Sequence, residues 1–245
     1  MGKIIAVVSG KGGTGKTSFA ANTGIALADM GYRTLCMDCD VMLRNLDLAL
    51  GLSDQAMMDF SDVVDGRCTL SDAVVTHSQY PKLQLLASPT SSMASGISRS
   101  KFQKMIQEIR ESYDYCLIDS SAGLGLGFQM ATAFADSAIV VTTTDISALR
   151  DAQRTVIELN RFPAGKLHLV VCRVQRKLLK DMHTTIDDAI DTAGLPLLGV
   201  VPEDIDVFFA LNRGIPLREY NYYAARAYEN IAKRITGLHV PLMNI

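Results

Sequence analysis

The sequence predicts an α/β fold: one mostly parallel sheet of about seven or eight strands, with helices on both faces. Three observations predict it. Short apolar runs recur at 4–8, 33–37, 83–86, 115–118, 137–142, 167–172 and 197–201. Most are continuous rather than alternating, as in strands covered on both faces. Helical patterns at 16–30, 98–112, 147–161, 182–192, 205–213 and 222–236 lie between or after them, and such alternation means βαβ units in a parallel sheet. No repeat, charge block or proline-rich linker divides the 245 residues. Residues 1–245 are therefore expected to form a single domain, with its core over about 1–236 and a short tail at 237–245.

The first run ends at Val8 and leads through Gly10-Lys-Gly-Gly-Thr-Gly-Lys16-Thr17-Ser18 into an alanine-rich helical pattern, Phe19 to Met30. Gly10, Gly15, Lys16 and Thr17 fit G-x-x-x-x-G-K-[ST] in its strand–loop–helix context, which makes the fold that of a P-loop NTPase. Backbone N–H groups across Gly12, Gly13, Thr14, Gly15, Lys16 and Thr17 would line a concave anion site, reinforced by the positive end of the helix that follows. Lys16 is placed to reach the β- and γ-phosphates, and the Thr17 hydroxyl to ligate Mg²⁺. Gly10 to Ser18 are thus the candidate phosphate-binding residues. Lys11 stands apart, because an ordinary phosphate loop does not need it.

The second run ends in Met37-Asp38-Cys39-Asp40. Asp38 and Asp40 alternate in a strand-like segment, so they face the same side. One of them could position or polarise an attacking water. Residues 40–82 are the least regular stretch and read as a switch or partner loop. The run at 83–86 and the helix at 98–112 follow, and then Tyr115-Cys-Leu-Ile-Asp119, a Walker-B pattern. Asp119 would hold Mg²⁺ at the rim where open α/β sheets bind ligands; the plain alternative for such an aspartate is a turn cap. The glycine-rich Ser120 to Gly127 reads as a loop that senses the γ-phosphate.

After the run at 137–142 and the helix at 147–161, residues 161–180 contain six Lys or Arg and no Asp or Glu. This reads as a solvated strand flank rather than a nucleic-acid or lipid patch. The run at 197–201 leads to Pro202. Tyr220, Tyr222, Tyr223 and Tyr228 fall in or beside the last helical pattern and read as packing residues.

Composition narrows the class. Hydrophobic residues make up 48% and charged residues 20%, the net charge is −2 and the pI about 6.1. No global field draws the chain to nucleic acid or acidic lipid. No apolar run approaches the roughly 20 residues of a membrane span, and no signal pattern precedes the first strand, so a cytoplasmic location is expected. Cys36 and Cys39 are formally C-x-x-C, but they lie in a strand and its end, and packing is the expected role. His77, His168, His183 and His239 form no cluster.

Lys11 together with Gly-Gly-Thr-Gly-Lys16-Thr17 resembles the deviant Walker A motif of the MinD/ParA ATPases. Met37-Asp38-Cys39-Asp40 resembles their second acidic motif. Leu43-Arg44-Asn45-Leu46-Asp47-Leu48, Ala148-Leu149-Arg150-Asp151 and Val201-Pro202-Glu203-Asp204 resemble the MinD branch. The similarity covers about residues 1–236. It implies ATP/ADP and Mg²⁺ as cofactors and an ATP-dependent sandwich homodimer in which Lys11 reaches the phosphates held by the other subunit. It implies catalytic roles for Lys11, Lys16 and Asp40, metal roles for Thr17, Asp38 and Asp119, and an adenine flanked by Arg173 and Pro202. Asn45 would lie near the dimer interface, and Asp151 would hold Lys11 between states. The implied activity is slow, partner-stimulated ATP hydrolysis that recruits a partner of MinC or MinE type for division-site placement. A ParA-like DNA partition ATPase and a non-hydrolysing scaffold are the alternatives; nucleic acid is not the expected partner.

The chain departs from the MinD pattern at Ser121, Gly125 and Cys172. Residues 237–245 hold one proline and no Lys or Arg. They are not expected to form the basic in-plane helix with which that branch binds membrane. Any membrane contact would then be weak, or peripheral through a partner.

Overall fold

The computed structural model describes residues 1–41, 43–90, 96–175 and 185–243. Eight strands form one sheet: β1 (Lys3–Val8), β2 (Thr34–Cys39), β3 (Val74–Thr76), β4 (Leu83–Leu86), β5 (Tyr115–Ser120), β6 (Ser137–Thr142), β7 (Leu167–Val174) and β8 (Leu197–Pro202). Their order is β3-β4-β2-β5-β1-β6-β7-β8. All neighbours pair in parallel except β3 with β4, which pair antiparallel through Val74 and Leu86. The parallel sheet, with seven of its strands where apolar runs announced them, is as expected. The three-residue edge strand β3 was hidden, because it is too short to show a period.

The described helices are α1 (Lys16–Asp29), α2 (Leu46–Ala49), α3 (Phe60–Asp65), α4 (Leu70–Ala73), α5 (Arg99–Ser112), α6 (Leu126–Ala133), α7 (Ile146–Glu158), α8 (Ile186–Ala193), α9 (Ile205–Arg213), α10 (Leu217–Tyr220) and α11 (Tyr222–Ile235). They cover both faces of the sheet. Along β1 the side chains alternate: Ile4, Ala6 and Val8 join one core layer, and Ile5 and Val7 the other. The first layer is filled by α3 to α8, with Phe60, Phe102, Ile106, Phe128 and Leu149 among its members. The second is filled by α1, α2, α10 and α11, with Phe19, Leu27, Leu46, Leu217 and Ile231.

Tertiary packing, rather than local propensity, fixes α1. Gly24 in its middle costs about 1 kcal/mol against alanine. A Cβ there would lie 2.3 Å from the Cys36 sulfur, so glycine lets the helix settle onto β2. Fully buried Phe19 and Leu27, worth about 1.5–3 kcal/mol each, outweigh that cost.

The irregular stretch 40–82 holds three short helices. α3 and α4 start from reciprocal capping boxes, Asp59 with Asp62 and Thr69 with Asp72. The glycine-rich segment after β5 is shorter as a loop than expected, because α6 already starts at Leu126. Gly127 lies inside that helix, where a Cβ would meet the Cys39 carbonyl oxygen at 2.4 Å. Part of the helical pattern at 182–192 lies outside the described residues; α8 begins at Ile186.

Candidate functional site

The site forms where the C-terminal ends of β1, β2 and β5 meet, with β7 and β8 to one side. Gly15, with φ 96°, turns the loop into α1 and stands at its N-cap without a side-chain cap; no acidic residue occupies the first turn. Helices α3, α4, α7, α8, α9 and α11 all carry side-chain caps. The N–H groups that open α1 are therefore left for an external acceptor. The loop is also packed tightly from behind. A Cβ on Gly10 would lie 2.4 Å from the Asp151 carbonyl oxygen, and one on Gly15 would lie 3.5 Å from the Cys172 Cβ.

Lys16 is buried, with 7% of its surface exposed, and its charge acts on both Asp40 and Asp119. β2 and β5 pair so that Asp38 stands beside Asp119. Asp38 accepts hydrogen bonds from the backbone N–H groups of Asp40, at 2.7 Å, and Leu46, at 3.1 Å. Burial, with Asp119 adding to it, still pushes Asp38 up to about 7. Burial pushes Asp119 up to about 6, against Lys16 and a hydrogen bond from the Thr17 side chain. One Asp119 oxygen has no hydrogen-bond partner, and neither has the Thr14 hydroxyl.

Two buried carboxylates side by side with an orphaned oxygen, next to a threonine hydroxyl, are a costly arrangement without a cation. The residues fit Mg²⁺. That ion takes one or two carboxylates and completes its shell with phosphate oxygens and water. Among the described residues no cluster of three or more His, Cys, Asp or Glu forms a protein-only cage. Asp119 holds the free oxygen, while both oxygens of Asp38 already accept backbone N–H groups. Asp40 is less enclosed. Burial raises its pKa and the Lys16 charge lowers it, so it lies within electrostatic reach of the lysine of the phosphate loop.

Lys11 is exposed, and its ammonium donates to the Ser147 hydroxyl at 2.7 Å and to Asp145 at 3.4 Å. This corrects the role expected of Asp151. The Asp151 carboxylate pairs instead with Arg154 at 3.6 Å, and its main chain forms the wall behind Gly10. Asp145 caps α7 by accepting the Ala148 N–H at 3.0 Å, so it stands at the end of the helix that Lys11 can reach. Burial works to raise the Asp145 pKa, but bonds from Thr143, Ser147 and Ala148, together with the Lys11 charge, hold it well below the usual carboxylate range. Asp145, Ser147 and Thr143 were missed. The signal available was an Asp two residues before an apolar helical run, a common N-cap pattern.

On the β7–β8 side a cleft of about 670 Å³ extends from the phosphate loop. Arg173, held at φ 57°, donates to the Gly13 carbonyl at 3.1 Å and pairs with Glu203 at 2.8 Å. Pro202, Cys172, Phe208 and Tyr228 line the same cleft. Arg173 and Pro202 are thus brought to one space. Phe208 and Glu203 were not foreseen, although Ile205, Phe208 and Phe209 recur at helical spacing directly after the Pro202 motif. Cys172 is buried and its thiol pushed up to about 12 by that burial, so it is an inert wall. Cys36 and Cys39 are also buried free thiols whose pKa burial raises, in keeping with packing. No helix among the described residues is long and apolar enough to cross a membrane.

A family model described as an AAA domain matches residues 2–164. The septum site-determining protein MinD of Bacillus subtilis (strain 168) is 40% identical, over 99% of this chain and 92% of its own length. The MinD structure from a MinC:MinD cell division protein complex of Aquifex aeolicus superposes with a TM-score of 0.90 at 33% identity, covering 99% of each chain. MinD of Pyrococcus horikoshii OT3, solved with Mg-ADP, superposes with a TM-score of 0.84 at 32% identity, covering 96% of each chain.

Proposed function

This chain belongs to the MinD/ParA family of ATPases, and on that premise we propose that it is a MinD-type switch: it binds ATP with Mg²⁺, pairs with a second copy of itself, hydrolyses slowly and recruits a partner for division-site placement. The observation that carries this reading is Lys16, buried and acting by its charge on both Asp40 and Asp119 at the uncapped start of α1. The loop N–H groups and Lys16 would bind the β- and γ-phosphates. Bound Mg²⁺, held by Thr17 and Asp119, would neutralise charge across those phosphates. Asp38, held by the N–H groups of Asp40 and Leu46, would fix the acidic segment in place. Asp40 would orient the attacking water and take up its proton. Arg173 and Pro202 would flank the adenine at the far end of the cleft.

Lys11 supports the dimer half of the reading. In the single chain it faces Ser147 and Asp145 instead of the phosphates. To act in catalysis it must leave them and reach the site of a second copy, where a late positive charge works as an arginine finger does. Hydrolysis would then wait for dimerisation, and stimulation by a partner follows from anything that favours the dimer. The MinC-bound relative supports a partner of MinC type. The location would be cytoplasmic, with membrane contact peripheral.

Sizing with Mg-ATP and phosphate-release assays test this. Lys16→Ala should lose nucleotide binding. Lys11→Ala should keep binding and lose hydrolysis, and Asp40→Ala should accumulate as an ATP-bound dimer. An Asp40→Ala protein that stays monomeric with ATP sinks the switch. Steeply salt-sensitive, ATP-dependent DNA binding would instead favour a partition role, which the net charge of −2 does not suggest.

A further inference from the structure

Beyond the nucleotide cleft, we propose a second anion site at the opposite end of the sheet: a cavity bordered by Lys3, Lys166 and Arg234 that takes a phosphate-type oxyanion carrying a small organic body. The cavity measures about 420 Å³, within the range of small-molecule sites. It lies where β1, β6, β7 and β8 begin, and the phosphate loop follows the other end of β1.

Its charge is unbalanced. The lining holds Lys3, Arg110, Lys166 and Arg234, with His168 beside them, against a single carboxylate, Asp136. One oxygen of that carboxylate, Oδ2, is already committed. It accepts the Ile4 N–H at 2.8 Å and the Arg110 guanidinium at 2.6 Å. Among the described residues the remaining three cations make no ion pair, the Lys3 ammonium lying over the Tyr115 ring at 5.7 Å from its centroid, on a chain whose net charge is −2.

Arg234 is the fixed element. Its guanidinium donates to the Leu198 carbonyl at 2.6 Å and twice to the Val240 carbonyl, at 3.0 and 2.9 Å. Neutral carbonyls orient it without cancelling its charge. Strand β8 backs directly onto it: a Cβ on Gly199 would lie 2.3 Å from Ile231 and 3.2 Å from the guanidinium. Burial pushes its pKa below the ordinary arginine value. His168 is likewise pushed down by burial and by the Lys166 charge, as a positive local field requires. A held, partly desolvated guanidinium suits an oxyanion, because it needs little ordering on binding, and the neighbouring lysines add positive charge beside it. Ile5, Ile139 and Leu198 supply an apolar wall for the organic part.

Such an anion exists free or as a lipid headgroup, and one experiment separates the two. The full isotope-labelled chain is titrated with inorganic phosphate and with glycerol 3-phosphate while backbone resonances are followed. The expected result is saturable shifts at Gly165 to His168 and at Lys3, with the organic phosphate binding tighter. Lys3→Ala with Lys166→Ala should weaken this by about 10-fold or more, each removed charge being a partner close to the anion. Shifts at Gly12 to Thr17 report the nucleotide loop separately, so failure of the nucleotide reading would not be mistaken for failure here. Vesicles of phosphatidylglycerol that compete, where phosphatidylcholine does not, identify a headgroup; absence of competition identifies a free ligand. No saturable shift at Gly165 to His168 with either probe, or equal affinity in the double variant, overturns the site.

Discussion

At the scale of single residues, the molecule keeps its two loop lysines in opposite situations. Lys16 is buried among carboxylates, whereas Lys11 and Asp145 are each about half exposed, at 46%. An exposed pair of this kind is worth little, about 0–1 kcal/mol. The hold on Lys11 is therefore a bias that a second subunit can overcome, not a lock. Ser147→Ala removes the shorter of its two contacts and leaves the Asp145 cap on α7 intact. ATP-dependent dimers of that variant should form at about two- to threefold lower protein concentration, the scale of an exposed interaction of a few tenths of a kcal/mol, as read by analytical ultracentrifugation. An unchanged monomer–dimer constant would mean that the contact with Ser147 does not restrain Lys11.

At the scale of elements, the short β3–β4 edge shows how local chemistry completes what periodicity cannot announce. His77 follows β3 directly. Its Nδ1 accepts the N–H groups of Gln79 and Tyr80, at 3.2 and 3.3 Å, and the His77 backbone N–H donates to the Leu83 carbonyl at 2.9 Å. The ring is buried, and burial lowers its pKa below 6.5, against a hydrogen bond to the Leu50 backbone and the Glu219 charge. A proton on Nδ1 would cost both accepted bonds. The native imidazole is therefore neutral, while the unfolded one gains a proton as the pH falls through about 6.5. The unfolded state then binds more protons. Stability should be full above that pH and should decline below it. In His77→Asn the amide oxygen can still accept the two N–H groups. Urea midpoints measured from pH 7.5 to 5.5 should fall less in that variant than in the parent protein, and equal slopes would exclude His77 as the source.

The same scale shows what was legible beforehand. The buried parallel strands and α1, α5, α7, α9 and α11 announced themselves because their apolar periods run over many residues. The phosphate loop was legible because its chemistry is contiguous. The capping boxes at Asp59 and Thr69 were present in the sequence, but helices of six and four residues give no period to attach them to. The contact of Lys11 with Ser147 spans 136 positions. Only the parallel register, which brings the end of β6 beside the end of β1, makes it possible. Asp151 looked equally suited by motif and failed because its carboxylate projects toward Arg154.

At the scale of the whole molecule, the site is assembled from distant segments and left unfinished. Asp38 and Asp119 arrive on neighbouring strands from separate crossovers, and the fold holds both in the core. A natural domain rarely sits at its stability optimum, and active sites are where the deficit concentrates. Asp119 is the clearest case: 1% exposed, pushed up to about 6 by burial, one oxygen unpaired. Replacing it by asparagine removes a buried charge but keeps the shape and an acceptor for Thr17. The ligand-free Asp119→Asn protein should therefore be more stable than the parent at pH 7, by roughly 1–3 kcal/mol on the scale of one to two pKa units. Nucleotide should reverse that order. Saturating Mg-ADP at about 100 times its Kd should stabilise the parent by about 2.7 kcal/mol, while the variant should respond equally to ADP with and without Mg²⁺. Thermal unfolding with and without each ligand checks both halves. If the ligand-free variant is less stable than the parent, Asp119 is satisfied within the protein itself, and its place in the metal site has to be given up.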